Sequence, residues 1–313
     1  MSMTYTRSPS TKIPAAARVV VALLLAGALF FGCDNGNKAA HASGFGEPLA
    51  QSQVITLSLE SEYMDTQVPC LVYLPKGYGG GHKYPVWYGL HGHGSSQTMW
   101  VDNGVAEAAD ELIDSGEIEP IIMVFPRARD ATLKEIEQDI AEDGKLGEAS
   151  MDQFLCKELV VYIDAHYDTD ASASRRYIGG FSMGGMIALR IAFRHTELFG
   201  KVGGYSAAVI SSDYSGRQLE QWLYPYDNVE ELDDIIRFDK EKGFDKLQVY
   251  LDAGNENDPF STGLQSLYDA LQYRGISSEF RLCEGGHTLQ KESIKDYLKF
   301  YAKKNIDEKK PTT

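Results

Sequence analysis

The chain has 313 residues, 43% hydrophobic and 24% charged, the balance of a globular protein with apolar bulk for one large domain or two modest ones. Its formal net charge is −15, and the first 32 residues hold three bases and no acid, so the rest of the chain is more acidic still. A surface of that sign repels phosphate backbones and anionic lipid, which argues against nucleic acid as a partner and against membrane contact through a basic patch.

At the N-terminus, Arg7, Lys12 and Arg18 precede an apolar run at 19–31, followed by Gly32, Cys33 and a polar stretch at 34–38. About thirteen apolar residues span about 20 Å as a helix, short of a ~30 Å hydrocarbon core. Residues 1–32 therefore read as a secretory signal peptide, and the chain as exported. Cys33, directly after a small residue, resembles the lipidated first residue of a bacterial lipoprotein, and that anchor is the one membrane contact expected. Cleavage after Ala40-His41-Ala42, giving a freely secreted protein, and an uncleaved anchor are the alternatives. Residues 33–50, rich in Gly, Ala, Asn and Ser, read as a flexible tether. Residues 51–306 read as one folded domain and 307–313 as a polar tail.

From residue 51 onward, apolar runs alternate with amphipathic ones, with no internal repeat. Residues 54–59 and 68–74 alternate with period two, and Pro75, Gly77 and the glycines at 79–81 then break the chain, which predicts two early strands. Runs at 85–90, 121–125 and 247–251 are continuously apolar, as strands covered on both faces must be, with shorter runs at 176–179 and 202–206. A further strand is predicted at 278–283. Helices are predicted over 102–115, 150–166, 183–194, 261–274 and 289–304. The last carries Leu289, Ile294, Tyr297, Leu298 and Tyr301 on roughly one face. This alternation predicts an α/β fold with a mostly parallel central sheet and helices on both faces. Such sheets gather their reactive groups at the carboxyl ends of strands. Segments 127–150 and 209–240 read as insertions bordering that end. Tyr214, Trp222, Tyr224, Tyr226 and Phe238 in the second either form a substrate surface or cap the core.

The strand at 176–179 runs into Gly180-Phe181-Ser182-Met183-Gly184-Gly185, a G-x-S-x-G sequence between strand and helix. A serine hydroxyl is a weak nucleophile unless exposed beside a base, and a sharp turn between glycines provides that exposure. Ser182 is thus the candidate nucleophile. Leu90-His91-Gly92-His93-Gly94 follows the strand at 85–90 as an H-G-x-G loop. The backbone N–H groups of His93 and Met183 are the candidate oxyanion donors. A zinc site on the H-x-H pair of His91 and His93 finds no suitably placed third ligand.

A general base working near neutral pH is a histidine, and the chain has seven. His41 lies in the tether, His82 in a glycine loop, His91 and His93 in the oxyanion loop, His166 at the end of a helix and His195 at the far end of the nucleophile helix. His287 remains, after Gly285-Gly286 and just beyond the strand at 278–283. For the acid, Asp258 lies in the loop past the strand at 247–251. Asp252 at the strand end reads as structural, while Glu256 and Asp213 stay open as substitutes. The order Ser182, Asp258, His287 is that of a strand-turn-helix serine hydrolase. The four cysteines, Cys33, Cys70, Cys156 and Cys283, show no C-x-x-C spacing, so no zinc or redox site is indicated. Cys70 and Cys156 are expected as buried free thiols.

At these residues the chain resembles the esterase family that includes esterase D, feruloyl and acetyl xylan esterases, and the mycolyltransferases. The matching pieces are Leu90 to Gly94 with Trp100 downstream, Gly180 to Met186, Phe199-Gly200 before Val202 and Ser206, Gly254 to Asp258, and Gly285-Gly286-His287, spread over about residues 55 to 303. The resemblance implies the α/β-hydrolase fold and a Ser-Asp-His esterase needing no cofactor. Its substrate would be a small-acyl or carbohydrate-linked (feruloyl or acetyl) ester. Family members often follow the histidine with Trp, where this chain has Thr288-Leu289-Gln290. An acyltransferase using the same triad and a non-catalytic binding protein on the same scaffold are the alternative readings.

Overall fold

In a computed structural model of the chain, the described residues are 47–128, 150–214, 217–223 and 239–303. The expected signal peptide (1–32), Cys33, most of the expected tether, the expected polar tail and most of both expected insertions lie outside them. The chain divides into two units, residues 1–36 and 37–313, and every described residue belongs to the second.

Eight strands form one sheet: β1 (Gln53–Ser61), β2 (Thr66–Leu74), β3 (Val86–Leu90), β4 (Ile122–Pro126), β5 (Arg176–Phe181), β6 (Lys201–Tyr205), β7 (Gln248–Gly254) and β8 (Ser277–Cys283). Their order is β1-β2-β4-β3-β5-β6-β7-β8. β1 pairs antiparallel with β2, and β2 with β4. The pairings from β4 through β8 are all parallel. Burial explains the sequence patterns. Edge strand β1 alternates, whereas β3 and β4 are buried at every position because helices cover both faces. This is the α/β-hydrolase fold.

The helices are α1 (Met99–Asp102), α2 (Val105–Asp114), α3 (Ser150–Gln153), α4 (Val160–His166), α5 (Met183–Arg194), α6 (Arg217–Leu223), α7 (Ser261–Tyr273) and α8 (Lys291–Ala302). A π-helical stretch, Phe154–Leu159, joins α3 to α4 inside the expected helix at 150–166. The expected helix at 102–115 is α2, which starts three residues later because Gly104 takes a left-handed conformation (φ 84°) just before it; the short α1 that precedes it was not expected. Among the described residues no helix is long and apolar enough to cross a membrane.

Each face of the sheet has its own core. On one side, Val86, Tyr88, Val124, Ile178, Val202 and Leu251 pack against residues of the π stretch, α5 and α7. On the other, Trp87, Met123, Tyr177, Tyr205 and Tyr250 pack against α2 and α8. The second core is aromatic: Trp87 stacks on Tyr301 at 5.1 Å between centroids, and Tyr205 on Tyr297 at 3.6 Å. Tyr214 and Trp222 are buried, with Trp222 edge-on to Phe193, so these two cap the core rather than face a substrate. Tyr224, Tyr226 and Phe238 lie outside the described residues. Cys70 and Cys156 are buried free thiols, and Cys283 is free and half-buried.

Candidate active site

β5 ends at Phe181 and the chain turns within one residue into α5. Ser182 makes that turn with φ 55° and ψ −118°, a conformation that costs a non-glycine residue on the order of 1–3 kcal/mol. The neighbouring strand holds it there. The Ser182 N–H donates to Tyr205 O (2.9 Å), and Ser182 O accepts from Ala208 N–H (2.9 Å). The helix start is wedged against β3, since a Cβ on Gly184 would lie 2.5 Å from His91 O and 2.7 Å from the Leu90 carbonyl. Gly184→Ala is therefore expected to destabilise the fold by about 3 kcal/mol, because the obstruction is backbone that no rotamer change relieves. A denaturant midpoint within error of wild type would refute the wedge.

His287 follows β8. The ends of β7 and β8 stay zipped beyond the sheet. Asn255 N–H donates to Cys283 O (2.9 Å), Glu256 N–H to Gly285 O (2.9 Å), and Gly285 N–H to Asn255 Oδ1 (3.1 Å). These bonds fix the acid-bearing loop and the histidine loop to each other. The His287 ring lies flat on Phe181 (5.0 Å, 24°) and edge-on to Phe260 (5.0 Å, 73°). Its Nε2 is 2.9 Å from Ser182 Oγ. Its Nδ1 faces Asp258 Oδ1 at 3.4 Å, longer than a hydrogen bond and within ion-pair range.

The Asp258 carboxylate has no exposed surface. Oδ2 accepts from Ser206 Oγ (2.7 Å) and Gly254 N–H (2.9 Å), and Oδ1 accepts from Phe260 N–H (3.0 Å). Burial alone would raise its pKa. The Gly254 and Phe260 amides, the Ser206 hydroxyl and His287 together outweigh that and hold it below the usual value, so it stays ionised. Asp252, one strand-end earlier, is also buried, but its Oδ1 accepts from the Ser206 N–H (3.0 Å). Glu256 and Asp213 are exposed.

Burial pushes the Asp252 carboxyl up to about 6. The Tyr297 hydroxyl and the Ser206 amide offset part of that rise, and the Asp258 charge adds to it. A carboxyl raised in the folded state loses its proton more readily in the unfolded state. Ionising it therefore costs stability as pH climbs from about 4 to about 6, by about 3 kcal/mol in all. Asp252→Asn is expected to remove that decline and to be the more stable protein at pH 7. Parallel stability–pH curves for variant and wild type over that window would sink the assignment.

His91 and His93 part company. His91 is buried; its Nε2 accepts from Ala128 N–H (3.0 Å) and its Nδ1 meets Gly92 O (2.8 Å), so backbone holds both nitrogens and the ring ties β4 to the loop. His93 is exposed in that loop, while Met183 is buried as the first residue of α5. Since β3 and β5 are adjacent in the sheet, the loop carrying His93 and the helix start carrying Met183 leave the same edge. No role was expected of Ser206, Phe181 or Phe260 from the sequence, although Phe181 stands inside the G-x-S-x-G sequence and Ser206 among the pieces that carry the resemblance.

The family model named Esterase, described as "Putative esterase", matches residues 61–292. The endo-1,4-beta-xylanase/feruloyl esterase of Xylanibacter ruminicola is 36% identical over 138 residues, 42% of this chain and 18% of that protein. Endo-1,4-beta-xylanase Y of Acetivibrio thermocellus is 31% identical over 121 residues, 37% of this chain and 11% of that protein. The match thus spans less than a fifth of the length of either relative. Among solved structures, a ferulic acid esterase superposes with a TM-score of 0.64 at 24% identity, covering 80% of this chain and 98% of that one. The S-formylglutathione hydrolase of Staphylococcus aureus superposes at 0.58 and 17%, covering 82% and 99%. At such identities the likeness is one of fold.

Proposed function

The chain belongs to this esterase family, and on that premise we propose that it is a serine carboxylic-ester hydrolase working through Ser182, His287 and Asp258. The observation that carries the reading is the 2.9 Å approach of His287 Nε2 to Ser182 Oγ, with a buried carboxylate behind the ring. Nε2 takes the hydroxyl proton as Oγ attacks the ester carbonyl. The imidazolium so formed is stabilised by Asp258, which already accepts three hydrogen bonds and so holds its place. The N–H groups of His93 and Met183 receive the negative oxygen of the tetrahedral intermediate. The imidazolium returns its proton to the departing alcohol, leaving an acyl-Ser182. Water, deprotonated by the same Nε2, then releases the acid and regenerates the serine.

The substrate we assign is a small-acyl or carbohydrate-linked ester, feruloyl or acetyl. A relative and a fold neighbour carry feruloyl or ferulic acid esterase in their names, and an acidic, exported chain suits a neutral extracellular saccharide. Export through residues 1–32, lipidation at Cys33, a tether over 33–50 and a catalytic domain over 51–306 complete the proposal. The test is a panel of p-nitrophenyl esters of graded chain length beside feruloylated and acetylated sugars, with glycerol added as a rival acceptor. Fast release of ferulate or acetate, with labelling by a fluorophosphonate probe, is expected. Exclusive formation of glycerol esters would make the protein an acyltransferase, and failure to label would make it a binding protein.

A further inference from the structure

We propose that Asp152, Cys156 and His195 form a binding site for one divalent transition-metal ion, zinc by ligand type, separate from the ester-cleaving centre. Asp152 is in α3, Cys156 in the π-helical stretch, and His195 caps the C-terminus of α5. Asp152 Oδ1 is 3.5 Å from Cys156 Sγ and 3.1 Å from His195 Nε2, and the three ligand atoms all lie within 4.8 Å of one another. A tetrahedral ion with bonds of ~2.0 Å to N and O and ~2.3 Å to S sets its ligand atoms roughly 3.3–3.7 Å apart, so small side-chain shifts close the set. Thiolate, imidazole and carboxylate together favour zinc over magnesium or calcium. Among the described residues this is the one group of three such side chains that converges.

The surroundings fit as well as the ligands. Glu197 Oε1 lies 3.0 Å from His195 Nδ1, the carboxylate–histidine pairing that aims Nε2 at a metal. Arg194 Nη1 donates to the other Asp152 oxygen at 2.9 Å, which leaves Oδ1 as a one-atom ligand. Asp152 and Cys156 are buried, while the His195 side chain is 29% exposed, which leaves room for water as a fourth ligand and a path of entry. π-Helical turns recur at functional sites.

The ion would fasten the far end of the nucleophile helix. α5 has 12 residues and is therefore about 18 Å long, so the ion is remote from Ser182 and its effect is on stability. The test uses the full chain, stripped with chelator and titrated with Co²⁺ and then Zn²⁺. One equivalent should bind, with a thiolate-to-cobalt charge-transfer band, and Zn²⁺ should raise the melting temperature while leaving ester turnover unchanged. Cys156→Ser should abolish the band, Cys283→Ser should keep it, and Glu197→Gln should weaken affinity about 10–100-fold. The last variant keeps the ligands, so it serves even if Cys156→Ser folds poorly. Sub-stoichiometric binding without a band, or a band that survives Cys156→Ser, would reduce the cluster to an imidazolium ion-pair network.

Discussion

Ser182→Ala is expected to lower turnover of an activated aryl ester by on the order of 10⁶-fold and to abolish fluorophosphonate labelling. The hydroxyl sits at the one point where β5 hands over to α5, 2.9 Å from the ring nitrogen proposed to take its proton. Without it His287 has no nucleophile to activate except water. What survives should be the contribution of the proposed His93 and Met183 donors and of binding, about 10³–10⁴-fold over the uncatalysed reaction. Stability should shift little, because alanine is as strained as serine at φ 55°. Ser182→Gly, equally inactive, should instead be more stable by about 1 kcal/mol, since glycine occupies that region without penalty. Turnover together with denaturant midpoints for the three proteins checks both halves. A Ser182→Ala protein that still labels would remove Ser182 from the mechanism.

The central strands were legible because physics leaves them little choice. β3, β4 and β7 must be apolar at nearly every position once helices cover both faces, and the runs at 85–90, 121–125 and 247–251 mark them to within a few residues. The start of α2 at Gly104 and the single turn of α1 before it were not legible, since the apolar spacing of 101, 105, 108 and 112 runs through the point where the backbone changes hand. The π stretch was hidden for a similar reason: its residues read as good helix, and periodicity is blind to one widened turn. At the site, Ser182 stands in a motif whose glycines are dictated by close approach, Gly184 by α5 against the end of β3 and Gly180 by the first turn of α5 against β5, so the chemistry is written locally. Asp258 and His287 could be placed only through the order of strands, because what joins them is the zipper between the ends of β7 and β8. The role of Ser206, a hydroxyl on Asp258 Oδ2 from the end of the next strand, went unseen because it depends on a register that no local pattern encodes. The same holds for Asp152, Cys156 and His195, which fall outside any metal-binding spacing because the fold rather than a motif brings α3 and the end of α5 together.

Asp258→Asn is expected to cut kcat by about 10³–10⁴-fold with little change in KM, while Asp252→Asn stays close to wild type. The donors around Asp258 make the argument. Oδ2 already receives the Ser206 hydroxyl and the Gly254 N–H, and Oδ1 receives the Phe260 N–H and faces His287 Nδ1. An asparagine must turn its NH₂ toward one of these two sets. Turned toward His287, it forces Nδ1 to accept, which puts the proton on Nε2, where it can no longer be taken from Ser182. Turned toward Gly254, it sets donor against donor on a backbone amide that cannot rotate away. Either way the negative charge that steadies the imidazolium is gone. The Asp252 Oδ1 is engaged by the Ser206 N–H rather than by the ring, and an asparagine there can still accept that bond. Stability separates the pair as well. Asp258 has a lowered pKa in the fold, so its contribution is present above the ordinary carboxyl range and disappears as pH falls through the lowered value, the opposite of Asp252. Asp258→Asn should therefore lose stability at neutral pH where Asp252→Asn gains it. If Asp252→Asn were instead the inactive variant and Asp258→Asn the active one, the acid would belong to the strand end and not to the loop beyond it.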